Sequence, residues 1–213
     1  MAVAGGEDAP RPRGRRPDPA KRQAIMTAAR EEFFEQGYAA SMDAIAHRAG
    51  VSKQTIYNAF ATKEELFAEM VAEVSAQIIA PLADHSPDST PAEVLTAFAR
   101  QYLQVIEAPR SIAMIRTLTA QASQFPELIA AFYRTGPANN LAHLAAYLAE
   151  ETARGRLAAS DPVMAAEQFF GMLTGSKHLR NLLGIDPPAT AEQQERRITA
   201  GVAAFLRAHG TAG

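Results

Sequence analysis

Residues 42–61 read MDAIAHRAGVSKQTIYNAFA. Met42, Ile45, Ala46 and Ala49 recur at helical spacing, and Ile56 and Phe60 keep that spacing on a second short segment. Ser41 and Ser52 stand where a helix N-cap is wanted, since a serine oxygen accepts from the free N–H groups of a first turn. Ala49-Gly50-Val51 joins the segments; Gly50 tolerates the positive φ of a tight turn, and Ala46 is small enough for two helices to cross. Ile45, Val51, Ile56 and Phe60 form the apolar lock between them. The spacing predicts a helix-turn-helix, with helices over 42–49 and 52–60. Its second helix presents Ser52, Lys53, Gln54, Thr55, Tyr57 and Asn58, mostly polar groups able to reach base edges and phosphates. In such a unit the N-terminal part of the second helix enters the major groove. A purely structural αα-hairpin has the same spacing and stays open as an alternative.

Helical signals continue on both sides. Upstream, Asp18-Pro19 is a capping residue followed by proline at the first helical position, and Ile25, Ala28, Ala29 and Phe33 make one apolar stripe before Gly37 ends it. Downstream, Thr62 with Glu65 is a capping box opening a helix through Leu66, Phe67, Met70, Val71 and Val74. Thr90-Pro91 with Glu93, Asp161-Pro162, and Thr190 with Gln193 open further helices, and Pro109, Pro126 and Pro137 mark boundaries or kinks. No alternating run of β-branched residues predicts a strand. The expected fold is all-α, roughly nine helices, with a three-helix unit ahead of a larger bundle.

The 213 residues suffice for one large domain or two small ones, and an apolar share of 47 % excludes a disordered chain. The absence of cysteine removes disulfides, thiolate zinc sites and cysteine nucleophiles, and fits a reducing cytoplasm. No apolar run approaches the roughly 18 residues of a membrane span, and the charged, proline-rich start is not a secretory signal. A cytoplasmic protein without a membrane partner is expected. Charge is uneven: residues 1–63 hold 10 Lys/Arg against 7 Asp/Glu, and residues 64–213 hold 11 against 16. Six of the cations fall within residues 11–22, so the chain begins with a basic arm, suited either to nucleic acid or to a solvated tail.

The stretch from Lys21 to Val71 closely resembles the DNA-binding domain of the tetracycline-repressor (TetR) family. The resemblance is carried by Ile25, Ala29, Phe33 and Gly37-Tyr38, then by Ile45-Ala46 and Ala49-Gly50-Val51-Ser52. Thr55-Ile56-Tyr57, Phe60 and Lys63-Glu64-Glu65-Leu66 complete it, in the family's order and spacing. Residues 125–150, then Gly155 and residues 161–175, look like the regulatory domain of the AefR-like subgroup. The resemblance implies a basic, disordered arm over 1–17, a helix-turn-helix domain over 18–63, and a ligand-binding and dimerisation domain over 64–213. It implies a homodimeric repressor that binds double-stranded DNA at a palindromic operator and is released by an unidentified small molecule, with no cofactor. By the family pattern Lys53, Gln54, Thr55 and Asn58 face the groove, whereas Ser41, Tyr57 and Lys63 contact phosphate. Ala59 departs from the pattern, since many members carry histidine there. Arg13, Arg15 and Arg16 resemble an arginine hook for the minor groove.

In the bundle, Phe98, Tyr102, Met114, Leu118, Gln121, Phe125, His143 and Tyr147 are candidate ligand contacts, although aromatics at helical spacing equally fill a core. His143 and His178, without a carboxylate motif, read as ordinary polar residues rather than a metal pair. The family's dimer uses its last two helices, which assigns Phe169, Gly171, Gly175, Ile198, Val202 and Phe205 to the interface; packing within the chain is the alternative. An enzyme is disfavoured because G-x-S-x-G, the phosphate-binding G-x-x-x-x-G-K-[ST] and H-E-x-x-H are all missing. Adjacent carboxylates such as Glu150-Glu151 point to different faces of a helix.

Overall fold

The computed structural model describes residues 18–211. Ten α-helices follow in order: α1 (Pro19–Gln36), α2 (Met42–Arg48), α3 (Lys53–Ala59), α4 (Lys63–Ala83), α5 (Pro91–Ile106), α6 (Pro109–Gln121), α7 (Pro126–Thr135), α8 (Pro137–Ala153), α9 (Pro162–Leu183) and α10 (Ala191–His209). A 3₁₀ turn over Gly37–Ala39 links α1 to α2, and the described residues contain no strand, only an isolated bridge between Leu157 and Gly210. The all-α expectation holds.

Local chemistry sets the boundaries. The side chains of Asp18, Ser41, Ser52, Thr62, Thr90, Asp161 and Thr190 all accept from first-turn N–H groups, as their sequence positions predict. At Thr62 the reciprocal half of the box differs: the Glu65 carboxylate takes the N–H of Ala61 instead, at 2.8 Å. Pro109, Pro126 and Pro137 each begin a helix, where the missing proline N–H costs nothing.

Two apolar cores share α4. The first gathers Ile25, Phe33, Ile45, Ile56 and Phe60 with Leu66, Phe67 and Met70 of α4, and also takes Met114, Leu118 and Leu128 from α6 and α7. The second gathers Ile78 and Leu82 of α4 with Phe98, Leu103, Leu148, Phe169, Leu173, Ile198 and Phe205. The 21-residue α4 reaches a mean hydropathy of 1.4 over 18 residues, enough in length and composition to cross a membrane, unlike the expectation from apolar runs. Its position explains that composition, because it packs against α1, α5, α7 and α8. Its acids Glu69 and Glu73 pair with Arg22 and Arg30 of α1.

Ion pairs fix the small unit as well. Arg48, at the end of α2, reaches the buried Glu32 of α1 at 2.8 Å and the exposed Glu35 at 2.7 Å. Burial of Glu32 makes that contact count, since exposed pairs of this kind contribute little. Gly50 has φ 65°, the positive value that the turn requires.

Candidate nucleic-acid interface and an adjoining cavity

The second helix of the helix-turn-helix, α3, buries Ile56 and exposes Ser52, Lys53, Gln54, Tyr57 and Asn58, with Thr55 half-buried between them. Its far end is held from two sides. The Arg22 guanidinium donates to the Ala59 carbonyl at 3.2 Å, lies 4.3 Å from the centre of the Phe60 ring, and pairs with Glu69 of α4. On the exposed face the polar groups occupy one another. Ser52 Oγ and Thr55 Oγ1 share a hydrogen bond of 2.8 Å, and Gln54 donates to Asn58 Oδ1 at 2.8 Å. Lys53 Nζ lies 2.9 Å from Asp43, whose carboxylate raises the lysine pKa and keeps it cationic. Contacts between such exposed groups are weak in water, so all of them are exchangeable for a partner.

Ser41 Oγ accepts from the Ala44 N–H at 3.1 Å at the start of α2, and Tyr57 is 42 % exposed. Lys63 is placed differently from these two. Its ammonium donates to the Tyr38 carbonyl at 2.7 Å and sits 3.8 Å from the centre of the Tyr38 ring, and burial lowers its pKa. The Tyr38 hydroxyl donates to Glu64, the next residue of α4. Lys63 therefore ties α4 to the 3₁₀ turn, with its charge directed into the protein. Arg13, Arg15 and Arg16, with the whole arm over 1–17, lie outside the described residues.

A cavity of about 410 Å³ lies between the middle helices. Met70, Val71, Val74, Ser75 and Ile78 of α4 line it, facing Tyr102, Val105 and Ile106 of α5 and Ser111, Met114 and Ile115 of α6. Phe132, Tyr133, Asn140 and Leu141 close another side, and Glu167, Phe170 and His178 of α9 complete it with Phe34 of α1. Such a volume and such walls suit a small organic ligand. Burial pushes the Tyr102 hydroxyl up to about 12 and holds the His178 imidazole below its ordinary value.

Of the eight candidate ligand contacts, this cavity takes Tyr102 and Met114. Phe98 is fully buried against Phe169, one turn before Tyr102. Leu118 belongs to the first core, and Phe125 packs its ring on Tyr38. Gln121 ends α6 half-buried and away from the lining. His143 is exposed on α8 with its ring nitrogen on the Asn139 carbonyl, and Tyr147 packs edge-on against His85. Sequence reasoning misses Ser75, Asn140, Phe132 and Phe170, and it reads His178 as an ordinary polar residue. The available signal is a polar residue on a buried helical stripe, as Ser75 is between Val71 and Ile78.

The candidate interface residues divide by face. Phe169, Ile198, Val202 and Phe205 are at most 4 % exposed within one chain, because α10 packs its apolar stripe onto α5 and α9. Gly171 and Gly175 lie on the opposite, exposed side of α9, with open space where a side chain would project. Val163, Met164, Met172, Leu179 and Leu183 are exposed along the same helix. The helix breaks at Gly175, which has φ 49° and ψ −151°.

Residues 25–70 match the family described as bacterial regulatory proteins of the tetR family, and residues 93–211 match the AefR-like transcriptional repressor C-terminal domain. A solved TetR-family transcriptional regulator from Mesorhizobium loti is 32 % identical; the alignment covers 90 % of this chain and 97 % of that one, with a TM-score of 0.77. The flavonoid-responsive regulator FrrA is 36 % identical over 91 % of this chain and 98 % of its own, with a TM-score of 0.70. The HTH-type transcriptional activator FasR of Mycolicibacterium smegmatis is 49 % identical over 57 residues, 26 % of each chain. The match thus spans about a quarter of the length of that curated relative.

Proposed function

This chain belongs to the TetR family of DNA-binding transcriptional regulators, and from that premise we propose that it is a homodimeric repressor released from a palindromic operator by a small-molecule effector. One observation carries the ligand response. The same helix, α4, lines the cavity with Met70, Val71, Val74, Ser75 and Ile78 and holds the helix-turn-helix through Lys63, Glu69 and Glu73. A ligand that displaces α4 therefore moves α3. Two α3 helices must sit about 34–36 Å apart to enter successive major grooves, so a small change in tilt alters affinity. A coupling of about 1–3 kcal/mol corresponds to roughly 5–150-fold. In this reading residues 18–63 form the reading unit and residues 64–213 the sensing and pairing unit. Lys53, Gln54, Thr55 and Asn58 meet bases, and Ser41 and Tyr57 meet phosphates.

Selecting bound duplexes from random DNA tests the reading directly. An inverted repeat is expected, and in a reporter strain its placement over a promoter lowers expression. A single, asymmetric half-site argues against the dimer, and raised expression makes the protein an activator, as FasR is named.

Pairing of two chains is assigned to the exposed side of α9. Gly171 and Gly175 allow close approach there, and Met172 and Leu179 supply apolar surface, 37 % and 58 % exposed. Leu179→Asp is expected to shift a sedimenting dimer to a monomer and to abolish operator binding, while the helix content stays unchanged. A dimer that survives this substitution moves the interface elsewhere.

Deleting residues 1–17 removes Arg11, Arg13, Arg15 and Arg16 from each subunit. The slope of log affinity against log salt is expected to flatten by about 0.9 for each phosphate that the arm neutralises. An unchanged slope means that the arm does not touch DNA.

A further inference from the structure

Resting on the reading that this cavity receives the effector, we infer that the effector is an uncharged aromatic compound with hydroxyl groups at separate positions, and that carboxylates are refused. Aromatic rings set the first part of the specificity. Phe34, Tyr102, Phe132, Tyr133 and Phe170 come from four different helices, so ring faces and edges meet the ligand from several directions.

Two places in the lining pair a cavity wall with deeply buried polar atoms. On the α4–α8 wall, Ser75 and Asn140 are 1 % and 5 % exposed. The Ser75 hydroxyl donates to Asn140 Oδ1 at 2.6 Å and accepts from Asn139 at 3.0 Å, so both its roles are filled. That arrangement fixes the orientation of the Asn140 amide. Its Nδ2 makes no hydrogen bond to the described residues, and Asn140 lines the cavity. It is a donor left for a ligand oxygen.

The second place is His178, which follows the break of α9 at Gly175 and lines the cavity with its Nδ1 buried and unpartnered. Glu107, whose side chain is 6 % exposed, acts on it electrostatically. One Glu107 oxygen is taken by Arg197 at 2.6 Å, and the other is buried without a partner. Glu107 stands behind the wall and does not line it; the polar edges of Asn140 and His178 do, and a hydroxyl suits both because it donates and accepts.

Charge then decides which hydroxylated compounds enter. No lysine or arginine lines the cavity, and burial keeps His178 neutral at pH 7. Glu167 is the one carboxylate among the lining residues; it is exposed, as Tyr133 is, so the two stand where the cavity meets solvent. An anion has to pass that carboxylate and then sit against walls that carry no lysine or arginine. A phenol, with its ordinary pKa near 10, stays neutral at pH 7.

Matched stilbenes test this in the full-length protein by titration calorimetry at pH 7. trans-4,4′-Dihydroxystilbene is expected to bind and to release operator DNA, and 4′-hydroxystilbene-4-carboxylate to bind at least tenfold more weakly. His178→Phe keeps a ring in place; it should weaken the dihydroxy compound several-fold and leave unsubstituted stilbene unchanged. Ile115→Trp fills the cavity and should abolish binding of every stilbene while operator binding persists, which shows the variant to be folded. Failure of the dihydroxy compound to bind, or a carboxylate that binds equally well, overturns the inference. Binding that survives Ile115→Trp, or that leaves the operator complex intact, overturns instead the reading of this cavity as the effector site.

Discussion

Gly37→Ala is expected to lower the stability of the folded chain and weaken operator binding, although residue 37 does not line the cavity and lies outside the helix assigned to the groove. Two separable effects add here. Gly37 has φ 59° and ψ −147°, close to a region that only glycine occupies readily, and a side chain there costs about 1–3 kcal/mol. An added Cβ also overlaps Thr117 Cγ2 of α6, and overpacking costs about 1–3 kcal/mol more. Thr117→Ser removes the overlapping methyl and keeps the hydroxyl that bonds to the Ala113 carbonyl. In urea denaturation the double mutant should therefore recover the overlap part of the destabilisation and retain the backbone part. No recovery would mean that Thr117 yields freely and the backbone carries everything. The neighbouring Arg116 donates to the carbonyls of Asn181 and Leu182 at the end of α9, at 2.6 and 2.7 Å. The packing of Gly37 on α6 thus joins the 3₁₀ turn that precedes the helix-turn-helix to the helix that carries His178. Weakened operator binding when this packing is disturbed is the expected readout of that linkage.

Gly37 also marks where the sequence stops being legible. A glycine after an apolar stripe says that a helix ends, since that signal is local. The identity of Thr117, eighty positions away, leaves no trace beside it. The same division runs through the whole molecule. Ser41, Gly50 and Ser52 act within three or four residues, so the helix-turn-helix is readable residue by residue. Lys63 fits the family pattern for a phosphate contact, but the ring of Tyr38 beneath its ammonium comes from a turn folded back in space. In the bundle, periodicity shows that a residue faces inward and cannot show what it meets. Phe98 and Tyr102 share one face of α5, yet Phe98 fills a core and Tyr102 lines a cavity. Phe169 and Phe170 divide in the same way on α9. Ile198, Val202 and Phe205 form a genuine stripe, but the chain's own α5 and α9 cover it. The two glycines of α9 point to a face where a backbone can approach, and the exposed Met172 and Leu179 lie on that face.

Among substitutions in α3, Gln54→Ala is expected to have the largest effect on operator binding, because the proposed dimer loses the contact in both half-sites. A side-chain amide that pairs with adenine contributes about 1–3 kcal/mol, so two half-sites together lose on the order of 2–6 kcal/mol on the preferred sequence. Gln54 is one of the first residues of α3, where side chains reach base edges, and its amide is already steadied by Asn58 at 2.8 Å. The effect should fall on particular base pairs: variants of the operator already changed at the position that Gln54 reads should bind the mutant and the parent alike. Tyr57→Phe serves as the contrast. Its hydroxyl is assigned to a phosphate, so its removal should cost about 0.5–1.5 kcal/mol per subunit on every sequence. Lys53→Ala belongs with Gln54 if the lysine leaves Asp43 for a guanine, and with Tyr57 if it goes to the backbone. Binding measured across a library of operator variants separates these outcomes. A uniform weakening for Gln54→Ala together with changed base preference for Tyr57→Phe would show that α3 enters the groove in another orientation, turned about its axis to present Tyr57 where Gln54 is placed now.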